Sequence, residues 1–375
     1  MSLWCCAARA AEWSVTPVYS SAFDYDSNRG LSDTARGTSS ALLTADLRFK
    51  WALEDTDVLM EPRYTLRRYS DAALGNGDDR SFSAALDRVN ERSSLQLSGT
   101  YTDQSTLISE LLETGIVSSD THRRQLQAGS NWNWSQTERW QLVSQMSYLD
   151  VSYYGTLRSS LPGYRYPSGS LGERWSFSEK SSVTISAYGS ELSSDVPGGS
   201  SHEYGLQAQL IHYFTERIHL DGSLGKSTRL LSGISSRGTD AAVALTYDLT
   251  RGNAALNYTR SLVPYGVGFL VERQQLTGSA LRRLTEYLDV NLSLLHIKNS
   301  DTAVLLGLDR KSIDSISTGL TWHPAETWNV SVQLSGIRTQ PPISRFSDSQ
   351  SKKDVNEWRS TVSLTWNPRP TSRSW

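Results

Sequence analysis

The side chains able to make or break bonds are few and scattered. The six histidines are His122, His202, His212, His219, His296 and His323. None has the i, i+4 or close-pair spacing that holds a metal on one element. His212 and His219 fall on neighbouring strands, and their parity puts them on opposite faces. Cys5 and Cys6 are the only cysteines, so no disulfide or thiolate site exists beyond residue 6. Serine is so common that a Ser–His pair means little by position alone. An outward serine meeting a histidine near a membrane rim is the one arrangement that would read as a lipid-modifying enzyme. No nucleophile elbow occurs, and the glycine pair in YGVGFL (265–270) is no phosphate cradle. No catalytic, cofactor or metal site is expected.

Charge offers a second chemistry. Alternation places Arg48, Lys50, Glu61, Arg63, Arg67, Asp87, Arg139, Asp221, Asp248, Asp289, Asp314 and Arg359 on the polar face of their stretches, with Tyr69 beside them. The early stretches are richer in Arg and Lys, the later ones in Asp. Opposite charges across a pore set a transverse field that sorts solutes. The plainer alternative is a wet wall whose charges pair across strands.

These residues need long strands to position them. WNVSVQLSGIR (328–338) alternates apolar with polar residues, as do WRSTVSLTW (358–366), SSVTISAYGS (181–190) and ALLTADLRFKW (41–51). Period two means a strand with one apolar and one polar face. The stretches run about ten to fourteen residues, beyond the roughly five to six of a common globular strand. Short polar knots near 55, 92, 137, 179, 216, 251, 286 and 326 return the chain at every second strand. The alternate connections, such as 26–38, 104–121, 300–310 and 340–355, are longer and rich in Gly, Ser, Asp and Pro. One of them, VPYGVG (263–268), is short. It lies in the longest apolar run of the chain, 262–271.

The count is about 18 strands, with 16 or 20 as alternatives. Nothing is left over to cover the apolar face: no amphipathic helices, and no run of about 18 apolar residues for a membrane helix. Such a sheet is satisfied by closing on itself with its apolar face in lipid. The expected fold is therefore all-β, a transmembrane antiparallel up-and-down β-barrel over 11–368. Residues 1–10 read as the end of a secretory signal with Ala8-Arg9-Ala10 as its cleavage site, and 369–375 as a short periplasmic tail. The chain has 12 Trp and 17 Tyr against 7 Phe, which suits aromatic girdles at two interfaces. Trp13, Trp140, Trp322, Trp328 and Trp366 belong near the tight-turn end. Tyr101, Tyr148 and Tyr188 belong nearer the loop end. The formal charge of −2 gives no reason to expect nucleic acid.

AEWSVTPVYSSAFDYDSN (11–28), with Trp13, Pro17, Tyr25, Asp26 and Asn28, resembles the mature start of outer-membrane barrels found with bacterial exopolysaccharide and exosortase/PEP-CTERM gene sets. STLISELLETG (105–115), Arg123-Arg124 and TERWQLVSQMSYLDVSYY (137–154) are similar to that family's middle. The resemblance implies a porin-like channel in a Gram-negative outer membrane, with long loops outside and termini in the periplasm. It implies a polysaccharide or another polar solute as cargo, outer-membrane lipid as surroundings and the barrel-assembly machinery as a biogenesis partner. The end of the chain, TWNPRPTSRSW, departs from barrels that stop on the last strand's aromatic residue. Two further readings stay open: a docking barrel plugged by its own side chains or by 104–121, and a lipid-modifying enzyme. The helical spacing of Ile108, Leu111, Leu112 and Ile116 would let that loop either fold inward or extend outward.

Overall fold

A computed structural model describes residues 12–29, 31, 36–71, 74, 76–110, 120–156, 161–196, 199–231, 234–266, 268–299, 312–339 and 354–374. The signal reading of 1–10 lies outside them. The alternating stretches form β1 (Glu12–Asp26), β2 (Thr38–Ala52), β3 (Thr56–Tyr69), β4 (Gly77–Val89), β5 (Ser93–Ser105) and β6 (His122–Ser135). Next come β7 (Trp140–Tyr154), β8 (Tyr164–Ser178), β9 (Ser181–Ser194), β10 (Ser201–Tyr213), β11 (Ile218–Leu231) and β12 (Ile234–Leu249). The set continues with β13 (Gly252–Tyr265), β14 (Phe269–Thr285), β15 (Leu288–Asn299), β16 (Ser312–Ala325), β17 (Trp328–Thr339) and β18 (Val355–Trp366). Each pairs antiparallel with the next, and β1 pairs with β18, so the 18 long strands close into a barrel.

Alternation decides which face is which. On β17, Val332 and Leu334 project outward and stay exposed although apolar, as do Leu43, Ile185, Leu206 and Leu256 elsewhere. Their polar neighbours line the inside. An apolar shell around a polar interior is the reverse of a water-soluble protein and is satisfied by lipid. At the tight-turn end the outer face carries paired indoles. Trp140 stacks on Trp175 at 5.9 Å between ring centres, and Trp328 on Trp366 at 6.0 Å.

The recurring knots have a local cause. Thr215 Oγ1 accepts from the backbone N–H groups of Arg217 (3.2 Å) and Ile218 (3.0 Å). Thr137 does the same for Arg139 and Trp140 (3.3 and 3.1 Å). A threonine opening the turn thus satisfies two donors that a tight reversal would leave bare.

The end of the chain corrects the expected tail. Thr371–Ser374 form a short strand, β19, paired with the start of β1 at Glu12 to Val15. Pro368 and Pro370 interrupt the ladder after Trp366, because proline brings no N–H. Pairing then resumes with a one-residue shift.

Two segments turn inward at the loop end. The first is the end of the β13–β14 hairpin. β12 and β13 pair only up to Ala241 and Arg260, and β14 joins β15 only from Arg273 onward. Beyond those points β13 and β14 pair with each other alone. Leu262 and Leu270 then reach the inner side of β7–β9. They pack with Val151, Tyr153, Leu161, Tyr164 and Leu192 in the largest buried apolar cluster. Alternate residues of the same hairpin, Tyr265 and Val271, are buried too, with Val263 and Phe269 against them. A hairpin apolar at both parities has no lipid-facing side, which is why it leaves the wall.

The second inward segment follows β5. Thr106–Ser109 make one helical turn, α1, in which Leu107 N donates to the Ser105 hydroxyl (3.1 Å) and Thr106 N to the Thr121 carbonyl (2.8 Å). Leu107 and Glu110 are fully buried. The remainder of the 104–121 loop, at 111–119, lies outside the described residues.

Candidate functional site: the lumen wall and its mouth

The inner wall of β1–β4 and β18 carries a ladder of ion pairs. Arg48 meets Glu61 (2.9 Å), Lys50 meets Asp57 (3.6 Å) and Arg63 meets Asp46 (2.8 Å). Arg67 lies between Asp24 (3.9 Å) and Asp79 (3.6 Å). At the seam Arg359 bridges Asp26 (3.2 Å) and Glu357 (2.9 Å), and Asp26 also holds Arg29 (3.4 Å). Tyr69 completes this group through its hydroxyl, 3.5 Å from Arg29. The early-strand cations therefore face carboxylates across neighbouring strands. Their field is local, as cross-strand pairing makes it, not a broad positive stripe. A cavity of 530 Å³ lies against this wall, bounded by Asp46, Arg63, Arg67, Asp79, Gln104 and Ile108 of α1.

The inward aspartates of later strands are spread out. Asp221 accepts from Gln209 Nε2 at 2.9 Å. Asp289 sits near the tight-turn end with His323 (3.1 Å) and Arg283 (3.4 Å). Asp87 and Asp248 are exposed on the inner face close to the same end.

Three positions differ from the alternation reading. Arg139 lies in the turn between β6 and β7, where the chain is not extended and parity no longer counts; its carbonyl accepts from Ser176 N. Asp314 projects outward. It shares parity with the exposed Ile316 and Leu320 and bonds His296 at 2.6 Å on the outer face. The neighbouring Ile313, buried on the inner side, gives this stretch apolar residues at both parities and hides the register. Tyr188 belongs to no girdle. It points into the lumen opposite Gly205, and its hydroxyl donates to Asp240. Trp13, Trp140, Trp322, Trp328, Trp366, Tyr101 and Tyr148 are on the outer face. Trp51, Trp134, Trp175 and Phe177 join them there.

The densest charge cluster was not singled out by the sequence. Arg229 of β11, only 5% exposed, is surrounded by three carboxylates: Glu203 (3.0 Å), Asp240 (2.6 Å) and Glu272 (2.9 Å). Arg260 holds the other oxygen of Glu272 at 2.9 Å. Glycine makes the room: a Cβ on Gly238 would lie 1.9 Å from Arg229 Nε, and one on Gly205 would lie 2.9 Å from the Tyr188 ring. A second cavity, of 360 Å³, opens beside the cluster between Tyr166, Tyr188, Gln207 and Leu262. Across the mouth, Glu110 accepts from Tyr153 (2.8 Å) and pairs with Arg123 (3.5 Å), which also donates to Tyr164 (3.3 Å). Tyr153 is thus shared by both inward segments, and Tyr164 is linked to the second through Arg123 of β6.

A serine and a histidine do meet at the outer surface. Ser181 Oγ and His212 Nδ1 are 2.8 Å apart as a direct cross-strand pair near the tight-turn end. Among the described residues, no carboxylate bonds the other ring nitrogen. The pair lacks the third group that orients a catalytic imidazole. No cluster suited to a metal ion occurs among the described residues.

Solved structures of the same shape exist. Pseudomonas aeruginosa OpdQ superposes with a TM-score of 0.50 at 11% identity, covering 95% of this chain and 99% of that one. The likeness is one of fold, a closed antiparallel β-barrel. Acinetobacter baumannii OccAB4 (TM-score 0.47, 10% identity, 96% and 98% covered) and the FrpB iron transporter of Neisseria meningitidis (0.48, 9%, 95% and 81%) are similar too. No protein-family model and no curated protein matches the sequence.

Proposed function

We propose that this chain is an outer-membrane channel for polar solutes, with its long loops at the cell surface and its termini in the periplasm. One observation supports this above the rest: a closed 18-strand barrel has an apolar outer face and an inner wall of hydroxyls, amides and paired charges. Barrels of this size leave an aqueous interior. Charges neutralised on the wall suit an uncharged or weakly charged cargo. The sequence resemblance makes a secreted polysaccharide the finer reading of that cargo. Single-channel recording in planar bilayers tests both. Steady conductance that falls on adding oligosaccharide supports the conduit; conductance indifferent to sugar leaves a channel for smaller solutes.

A second reading has its own observation. Glu110, Leu107, Leu262 and Leu270 are all buried in the mouth, so the barrel could serve as a plugged docking platform. A barrel that stays silent in bilayers, and takes up no sugar in vesicles, would favour it.

A further inference from the structure

The β13–β14 hairpin end is a strap whose carboxylate, Glu272, reaches Arg229 on β11. We propose that the Glu272–Arg229 pair fixes this strap across the lumen and thereby sets the largest solute the barrel admits. The inference deepens the channel reading above and rests on it for the word solute; the pair itself does not.

Three observations carry it. First, the strap has left the ladders of its two neighbouring strands. Its backbone makes no ladder bonds to β12 beyond Arg260 or to β15 before Arg273. Moving it leaves the described ladders of β12–β13 and β14–β15 intact. Second, the strap is attached by side chains at both ends of its reach. Leu262 and Leu270 enter the apolar cluster on β7–β9, and a Cβ on Gly268 would lie 2.2 Å from Ser194 Oγ on β9. Glu272 reaches Arg229 on β11 and Arg260 at the strap's own root. Third, Arg229 is committed by three carboxylates, and only Glu272 belongs to the strap. Replacing Glu272 leaves Arg229 paired with Glu203 and Asp240, so the guanidinium stays fixed on the wall while the strap loses its anchor and Arg260 its carboxylate. The same logic makes Gly238 a positioning residue, because any side chain there displaces the guanidinium.

The test uses the full chain in vesicles and planar bilayers, with the barrel's altered gel migration before and after boiling as the folding check. Glu272→Gln and Gly238→Ala are compared with the unaltered protein and with His296→Gln, whose partner Asp314 lies on the outer face. In Glu272→Gln we expect conductance to rise roughly two-fold, as when one of two arms across a mouth is withdrawn, and larger neutral sugars to enter vesicles. His296→Gln should keep the original cut-off. A third variant reads the strap without conduction: Leu262→Cys should resist a thiol reagent alone and react once Glu272→Gln is added. If wild-type barrels conduct but Glu272→Gln changes neither conductance nor cut-off, and Leu262→Cys reacts equally in both backgrounds, the strap proposal is wrong and the channel stands. If no variant conducts yet labelling depends on Glu272, the strap stands and the channel reading falls.

Discussion

At the residue scale, the interior is governed by pairing. Arg67 is held by Asp24 on one side and Asp79 on the other, and its side chain is only 12% exposed. Removing it leaves two carboxylates facing each other. Arg67→Leu should therefore lower stability by about 3 kcal/mol, the low end for breaking a buried pair because the lumen is wet; urea unfolding in lipid vesicles, followed by tryptophan fluorescence, measures it. Tyr153→Phe is milder. It keeps the ring in its apolar cluster and removes one donor from Glu110, costing about 1 kcal/mol, and should show as more open-channel noise with an unchanged mean current. Alternation was enough to place Arg48, Arg63 and Arg359 on the inner wall, because their strands have one apolar parity. It failed at Asp314 and Arg139, where apolar residues stand at both parities or the chain turns. Which carboxylate meets which arginine depends on strand register, and no residue-by-residue pattern encodes that.

At the element scale, strand positions were legible because lipid demands strict alternation over a dozen residues, and because each knot carries its own turn chemistry. Thr215→Ala should remove two acceptor contacts from the β10–β11 turn, costing roughly 0.5–1 kcal/mol since water can replace them, with the urea midpoint as readout. The inward hairpin had a signal of a different kind. The longest apolar run of the chain sits at a loop end, on residues of both parities, where a strand in the wall would show only one. Seen as a chemical demand, that run asks for burial on two sides. Where it would be buried was not legible, since the cluster that receives it comes from β7–β9, over a hundred residues away in sequence for Val151 and Leu262. The pairing limits of β12 and β13 were equally hidden: β12 begins at Ile234, yet its ladder to β13 reaches only to Ala241.

At the scale of the whole molecule, the orientation in the membrane is open to direct test. An epitope inserted in the 340–353 connection should be stained on intact cells, while one after residue 375 should need permeabilised cells; the opposite pattern would invert the proposed topology. The fold class followed from a deficit, an apolar sheet face with nothing to cover it. Closure itself shows a further consequence. β1 meets β18 from Tyr19 upward and β19 from Val15 downward, so Thr16, Pro17 and Val18 face Asn367–Pro370 without a ladder. Pro17, Pro368 and Pro370 bring no N–H to that stretch. The seam is therefore a zip fastened in two lengths with missing teeth between them. A zip of this kind closes in two steps and opens first at the gap, so amide exchange at Val15 and Tyr19, whose N–H groups face the seam on either side of it, should outrun that of Phe23 and Tyr25 long before the cylinder unrolls.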